Sequence, residues 1–372
     1  MNIGIIGCGN ISSTYLHLAP LFKGLHIVAC ADINDSAAQT QATAFGCSAQ
    51  SIEKILSDNS IELMINLTVP DAHAAVSSRI LQAGKHVYSE KPFVLTLEEG
   101  QALHSLAATQ GVRIGSAPDT FLGGAHQQAR QIIDNGDIGT ITGGTCHFMN
   151  GGMESWHPTP DFFYQPGGGP MLDMGPYYLS NLVQLLGPVR RLMSMTSTPS
   201  ATRTITSEPR AGETLSVGTP TSVSTLLEFH SGAQISVCMS WDVQRHEHNC
   251  MELYGSHGTL FVPDPNFFGG ELMVATHDSE EIVLSDHVFA QANDEQDDGE
   301  ILANYRGAGL ADMVAAISEG REHRCNDTVA LHVVDIMTSA LMSGEIGQAI
   351  ELKTTCNRPA ALDSDAAHRL LA

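Results

Sequence analysis

Asn2-Ile3-Gly4-Ile5-Ile6-Gly7-Cys8-Gly9-Asn10-Ile11-Ser12 carries the reading of the fold. An extended apolar run gives way to two glycines and then to a helix-like stretch, which reads as strand, tight turn, helix. Gly7 and Gly9 let the chain turn sharply and let a pyrophosphate approach the backbone. Asn10 and Ile11 open a helix whose N–H groups and dipole favour that anion. Ser12 replaces the third glycine of the dinucleotide fingerprint and is small enough for close packing. The next apolar run ends at Ala31-Asp32. A carboxylate roughly 20 residues past such a turn accepts hydrogen bonds from the adenosine ribose and repels a 2′-phosphate. No Lys or Arg follows in Ile33-Asn34-Asp35-Ser36, which favours NAD over NADP. A loop or helix-capping acid is the other reading of Asp32.

Outward from this turn, residues 3–6, 27–31, 63–67, 86–89 and 113–116 read as strands. Residues 12–22, 36–44, 52–57, 72–83 and 97–109 read as the helices between them. That alternation implies a doubly wound parallel sheet, with ligands outside the carboxyl ends of its strands. Thr68-Val69-Pro70-Asp71-Ala72-His73 lies at one such end. Thr68 and Pro70 shape a cofactor-side turn, Asp71 suits a helix cap, and His73 faces either the cofactor or solvent.

Past residue 118 the texture changes. A helix at 125–135 precedes β-type segments at 140–149, 189–197, 222–229, 233–241, 250–254 and 259–262. Residues 197–222 form a Ser, Thr, Pro and Gly-rich excursion, and helices at 309–319 and 328–344 follow. The expected architecture is α/β. An N-terminal Rossmann doubly wound parallel sheet spans 1–118, and an α+β domain with a large open, mostly antiparallel sheet spans 119–372.

The 372 residues carry 41 Asp and Glu against 18 Lys and Arg, a formal charge of −23. Nine of the acids fall in 277–300, which contains no Lys or Arg. Nucleic acids and anionic membranes need a basic face, so neither is expected as a partner. No apolar run approaches the roughly 20 residues of a membrane span. A strand begins at once with no basic segment ahead of it, so the chain is read as cytoplasmic. The eight scattered cysteines read as reduced thiols. His246, His248 and Cys250 alternate and on a strand would share one face. That spacing suits a soft metal or plain sheet packing; no metal is assigned.

Gly84-Lys85-His86-Val87-Tyr88-Ser89-Glu90-Lys91-Pro92 ends a strand on a charged pair and a proline. Gly167-Gly168-Gly169-Pro170-Met171-Leu172-Asp173-Met174-Gly175-Pro176-Tyr177 and Gly309-Leu310-Ala311-Asp312-Met313 follow later. With the opening turn and the Thr68 segment, these resemble the Gfo/Idh/MocA oxidoreductases over nearly the whole chain. The resemblance implies NAD(P)-dependent oxidation of a secondary hydroxyl of a sugar or cyclic polyol. It also implies a homodimer or homotetramer formed through the open sheet. Glu90 and Lys91 match a motif in which the lysine serves catalysis and orients nicotinamide, and Asp173 matches a second-motif acid. Many members carry His where this chain has Tyr177, which is similar to glucose–fructose oxidoreductase and the dimeric dihydrodiol dehydrogenases. Tyr178 is adjacent, so the choice rests on the Asp-x-x-x-Tyr spacing. On one helix that spacing puts Asp173 and Tyr177 on one face.

Removing a hydride from an alcohol needs a base for the hydroxyl proton. A free phenol, with a pKa near ~10, is a poor base at neutral pH. A nearby ammonium favours the phenolate and stabilises a developing alkoxide. Lys91 and Tyr177 are therefore expected to act as a couple, with Asp173 holding substrate or lysine. Trp156 and His157, in an aromatic, proline-rich stretch before the glycine run, are candidates for substrate contact and equally for packing. Asp119, at the passage between domains, is a further substrate candidate. Three other readings stand beside the dehydrogenase. They are an NAD-dependent glycosidase acting by transient oxidation, a dihydrodiol dehydrogenase, and a non-catalytic regulator. Retention of Lys91, Asp173 and Tyr177 speaks against the regulator.

Overall fold

The computed structural model describes residues 1–295 and 299–372; part of the acidic run, 296–298, lies outside the described residues. The chain forms two compact units. The first comprises Met1–Gly124, Asp286–Val334 and Pro359–Ala372, and the second Ala125–Ser285 and Asp335–Arg358.

The first unit opens with β1 (Asn2–Ile6), α1 (Asn10–Leu18), β2 (His26–Ala31), α2 (Asp35–Phe45), β3 (Ser48–Ala49) and α3 (Ile52–Ser57). It continues with β4 (Leu63–Asn66), α4 (His73–Gln82), β5 (His86–Ser89), α5 (Leu97–Gln110) and β6 (Ile114–Ser116). The strands pair in parallel in the order β3-β2-β1-β4-β5-β6. Only the short β3 was not anticipated. Every residue of β4 is buried, since a sheet covered on both faces has no polar side and shows an apolar run instead of alternation. Thr96 and Glu99 close a reciprocal capping box that starts α5. The strand order reverses between β1 and β4, and ligands of such sheets bind at that switch point. Gly7 follows β1, Thr68 follows β4 and Glu90 follows β5, so three candidate segments share one edge.

The second unit contains most of α6 (Gly124–Asn135), then β7 (Ile141–Met149), α7 (Pro170–Asp173), α8 (Gly175–Leu186) and β8 (Val189–Ser197). A small hairpin, β9 (Thr202–Thr204) and β10 (Thr214–Ser216), occupies the excursion over 197–222. Then come β11 (Ser222–Phe229), β12 (Gln234–Ser240), β13 (Met251–Gly255), β14 (Thr259–Val262), β15 (Leu272–Ala275) and β16 (Glu280–Val283). Burial alternates along β11 and β12, as a sheet with one covered face requires.

The remaining elements are β17 (Asp294–Glu295), β18 (Ile301–Leu302), α9 (Ala308–Glu319), α10 (Asp327–Ile346), β19 (Ile350–Glu351) and α11 (Ser364–Leu370). The large sheet of the second unit runs β16-β15-β14-β13-β7-β12-β11-β8-β19, and within it only β7 and β12 pair in parallel. The first unit is not an uninterrupted 1–118. Later segments complete it: Ser116 N–H donates to Cys325 O at 3.0 Å, Phe22 bridges Leu371, and Phe22 meets Phe289 edge-on. α11 was not anticipated; Asp363 caps it by accepting the Ala366 N–H at 2.7 Å.

By length and composition the 20 residues of α10 are apolar enough to cross a bilayer, although Asp327, His332, Asp335 and Glu345 interrupt them, so no uninterrupted apolar run of that length occurs. It is a core helix. Val333, Val334, Ile336, Met337 and Ala340 are buried, and Asp335 accepts the N–H groups of Lys353 and Thr354 at 2.8 Å.

Candidate active site

Gly7 has φ +103°, and a Cβ there would stand 2.5 Å from the Leu67 carbonyl, so glycine alone fits. Gly9 differs. Its φ is −74°, and a Cβ built on it meets nothing within 4 Å. Neither strain nor packing calls for glycine there. A bare backbone at the exposed start of α1, with Asn10 exposed and Ile11 half-buried beside it, fits the approach of a pyrophosphate. Ser12 is buried and donates its hydroxyl to Gly9 O at 2.6 Å, so it ties the first helical turn to its cap.

Asp32 is half-buried. Oδ2 accepts the Cys8 N–H at 2.7 Å and Oδ1 accepts the Asn34 N–H at 2.8 Å. The acid thus shapes the glycine turn, and each oxygen keeps a second lone pair suited to a ribose hydroxyl. Ile33 and Val69, which the sequence reading passed over, are 95% and 67% exposed. Large apolar side chains left in water at the ends of β2 and β4 suit the face of an adenine ring.

Asn66 organises the turn after β4. Its amide donates to His73 O and Ser77 Oγ, both at 3.0 Å, and accepts the Thr68 hydroxyl at 2.7 Å. Pro70 starts a single 3-10 turn that leads into α4, and Asp71 does not cap that helix. The expectation that His73 contacts the cofactor is corrected. The ring is 1% exposed, with Nδ1 2.7 Å from Pro92 O and Nε2 2.9 Å from Thr68 O. Burial pushes its pKa down. His73 straps the Thr68 turn to the Glu90-Lys91-Pro92 turn.

Glu90 is almost buried, and its carboxylate gathers three contacts. Oε2 accepts the N–H of Lys91 at 2.8 Å, Oε1 accepts the Tyr15 hydroxyl at 3.0 Å, and Arg306 Nη1 lies 3.6 Å from Oε1. Glu90 therefore shapes the backbone that carries Lys91, which is half-buried. Sequence reasoning missed Tyr15 and Arg306, and no spacing signal links them to residue 90. Asp119 is corrected too. It is 1% exposed, and Oδ2 accepts the N–H groups of Gly307 and Gly309 at 2.8 and 3.0 Å. It anchors the start of α9 rather than meeting substrate, and burial raises its pKa.

In the second unit the single-helix premise for Asp173 and Tyr177 needs revision. α7 ends at Asp173 and α8 begins at Gly175, because Pro176 has no N–H to return to Leu172. Tyr177 N–H donates instead to Met174 O at 3.1 Å. The two tyrosines separate clearly. Tyr178 donates its hydroxyl to Asp264 at 2.9 Å and lies against Phe148, and burial raises its pKa far above the ordinary phenol value. What sets it apart from Tyr177, itself buried at 5% exposure, is that its hydroxyl is committed to Asp264.

Trp156 is 62% exposed. His157 is bracketed by Trp156, Phe162 and Phe163 at centroid distances of 5.3, 5.6 and 5.1 Å. Its Nδ1 accepts the Thr159 N–H at 3.1 Å, so a neutral ring carries its proton on Nε2. The base of this loop is held by Arg203, which the sequence reading passed over. Arg203 donates to Gly151 O at 3.1 Å and Glu154 at 2.8 Å and pairs with Asp242. His246, His248 and Cys250 lie on the loop before β13, not along a strand, so the shared-face premise fails. His248 stacks on His147 at 4.4 Å.

Residues 1–117 match the family description "Oxidoreductase family, NAD-binding Rossmann fold", and residues 126–261 match "GFO/IDH/MocA C-terminal domain". An uncharacterised oxidoreductase of Schizosaccharomyces pombe is 29% identical over 140 residues, 37% of each chain, so the match spans little more than a third of that relative. Inositol 2-dehydrogenase of Rhizobium meliloti is 25% identical over 262 residues, 70% of this chain and 74% of that one. The structure of levoglucosan dehydrogenase in complex with NADH has a TM-score of 0.81 at 20% identity, covering 95% of this chain and 99% of that one, which shows a shared fold. Both matched halves carry the signature of one family, and the protein belongs to the Gfo/Idh/MocA oxidoreductases, with an NAD-binding Rossmann fold.

Proposed function

We propose that the protein is an NAD-dependent dehydrogenase of a secondary hydroxyl on a sugar or cyclic polyol. The observation that carries this reading is the Glu90-Lys91-Pro92 turn. A nearly buried carboxylate fixes the backbone of Lys91 at the same sheet edge as the bare Gly9 turn. The names of two relatives, inositol 2-dehydrogenase and levoglucosan dehydrogenase, support a ring alcohol as substrate.

Bound NAD supplies the hydride acceptor. Gly7, Gly9, Asn10 and Ile11 would hold its pyrophosphate and Asp32 its ribose. Thr68 and Pro70 would line the same sheet edge, where Glu90 fixes the backbone of Lys91. As the carbinol C–H leaves as hydride, the Tyr177 phenolate takes the hydroxyl proton and the carbon becomes a carbonyl. The Lys91 ammonium steadies the developing alkoxide. Asp173 orients the substrate, with Trp156 against its ring and the His157 Nε2–H on a hydroxyl. The exposed Met193, Met195 and Leu226, at 50%, 78% and 48%, support a homodimer or homotetramer through the open sheet face. A monomeric mass in sedimentation at micromolar concentration refutes that assembly.

The decisive experiment incubates the protein with sugars, cyclitols and glycosides, with NAD or NADP, and follows reduced-cofactor absorbance. Steady NADH formation from a free sugar or cyclitol is expected. Tyr177→Phe lowers kcat about a hundredfold or more while NADH binding survives, and Tyr178→Phe keeps turnover. Aglycone release without NADH identifies a glycosidase instead. A strong NADP preference overturns the role of Asp32, and unchanged turnover in Tyr177→Phe ends its assignment as base.

A further inference from the structure

We propose that Arg306 is a positioning residue for Lys91, acting through Glu90; this rests on the reading of Lys91 as the catalytic lysine. The Glu90 side chain is 8% exposed and that of Arg306 16%. A carboxylate so far out of water keeps its charge only beside a compensating cation. Oε2 and Oε1 already accept the Lys91 N–H and the Tyr15 hydroxyl, and neither donor carries charge. Arg306, 3.6 Å from Oε1, supplies the charge. At that separation it is an ion pair and not a tight hydrogen bond, so Arg306 neutralises while Tyr15 and the backbone N–H set direction.

The surrounding groups sharpen the point. Asp119 spends Oδ2 on the N–H groups of Gly307 and Gly309, which fixes the residue next to Arg306. Asp119, Tyr15, Tyr88 and His73 are the titratable groups that sense the Glu90 charge, and Arg306 acts on the Asp119 carboxylate as well. Lys91 is the cation joined covalently to Glu90. With Arg306 in place, part of the Glu90 charge is offset by a cation other than Lys91, which weakens the pull of Glu90 on the Lys91 ammonium. With Arg306 removed, Lys91 is the cation Glu90 draws back. A guanidinium suits the task because it stays charged when buried.

The test compares Arg306→Met, Arg306→Lys, Tyr15→Phe and Lys91→Ala by kcat and KM across pH, NADH affinity by fluorescence, and thermal midpoint. Arg306→Met is expected to lower kcat about tenfold with NADH affinity little changed. The acid limb of its kcat profile moves to higher pH by about one unit, because a withdrawn cation no longer favours the deprotonated base. Arg306→Lys restores most of both effects. Tyr15→Phe, which spares the charge, leaves the limb in place. A lower thermal midpoint in Arg306→Met with an unmoved acid limb and unchanged kcat overturns the inference and leaves Arg306 structural. If Lys91→Ala loses turnover while Arg306→Met does not, only this inference fails. Undiminished turnover in Lys91→Ala overturns the reading of Lys91 and this inference with it.

Discussion

Mild acid is expected to destabilise the second unit through one residue, His126. The ring is fully buried in α6, with Nε2 2.9 Å from Phe267 O and Nδ1 3.2 Å from the Asn181 amide nitrogen. A carbonyl accepts and an amide nitrogen donates, so the neutral ring carries its proton on Nε2 and accepts at Nδ1. Asn181 cannot turn its oxygen toward an added Nδ1 proton. That oxygen already accepts the Gln184 amide at 3.0 Å, and Gln184 also donates to His126 O at 3.2 Å. Protonation therefore puts a charge in the core and sets two donors face to face. Burial pushes the pKa of His126 from 6.5 down to about 4.

The unfolded chain takes up this proton near pH 6.5 and the folded chain does not until about pH 4. Stability is complete above the first value and is lost as pH falls toward the second. At about 1.4 kcal/mol per unit, the loss from this residue is about 3 kcal/mol by pH 4. Urea unfolding of the wild type and of His126→Gln, which keeps a donor for Phe267 O, at pH 7 and pH 4.5 measures it. The variant should be weaker at pH 7 and lose less on acidification. Other buried histidines such as His73 and His323 contribute equally to both proteins and cancel. Identical acid losses in the two proteins would refute the argument.

Two further outcomes separate folding roles from binding roles. Gly7→Ala should cost about 1–3 kcal/mol of stability, whereas Gly9→Ala should keep the thermal midpoint and weaken NADH binding about tenfold; equal thermal loss in both would show that Gly9 is structural. Asp119→Asn should lower stability by about 1 kcal/mol through the start of α9 and leave KM unchanged; a raised KM at unchanged stability would return Asp119 to the substrate site.

The parallel sheet and its ligand edge were legible because they are local. A strand, a Gly-x-Gly turn and a helix leave a sequence pattern within a dozen residues, and apolar strands that run into proline-bearing turns recur at Thr68 and Glu90. Burial of single polar side chains was not legible. His73 and Asp119 are titratable residues near functional segments, and nothing in their neighbours in sequence says that their polar atoms are spent on Pro92, Thr68, Gly307 and Gly309. Spacing likewise misjudged the Asp173–Tyr177 pair, because a proline inside the pattern divides the helix.

By itself the sequence determined where the turns fall, which residues bring charge to the cofactor edge, and that a tyrosine stands in place of histidine. These follow from short-range geometry and residue chemistry. Only the tertiary structure decided what surrounds Glu90-Lys91-Pro92. Tyr15 comes from the first helix, and Arg306 from a segment that returns after the second sheet. Counter-charges for a buried carboxylate are chosen by proximity in space, and proximity across some two hundred residues leaves no periodicity to read.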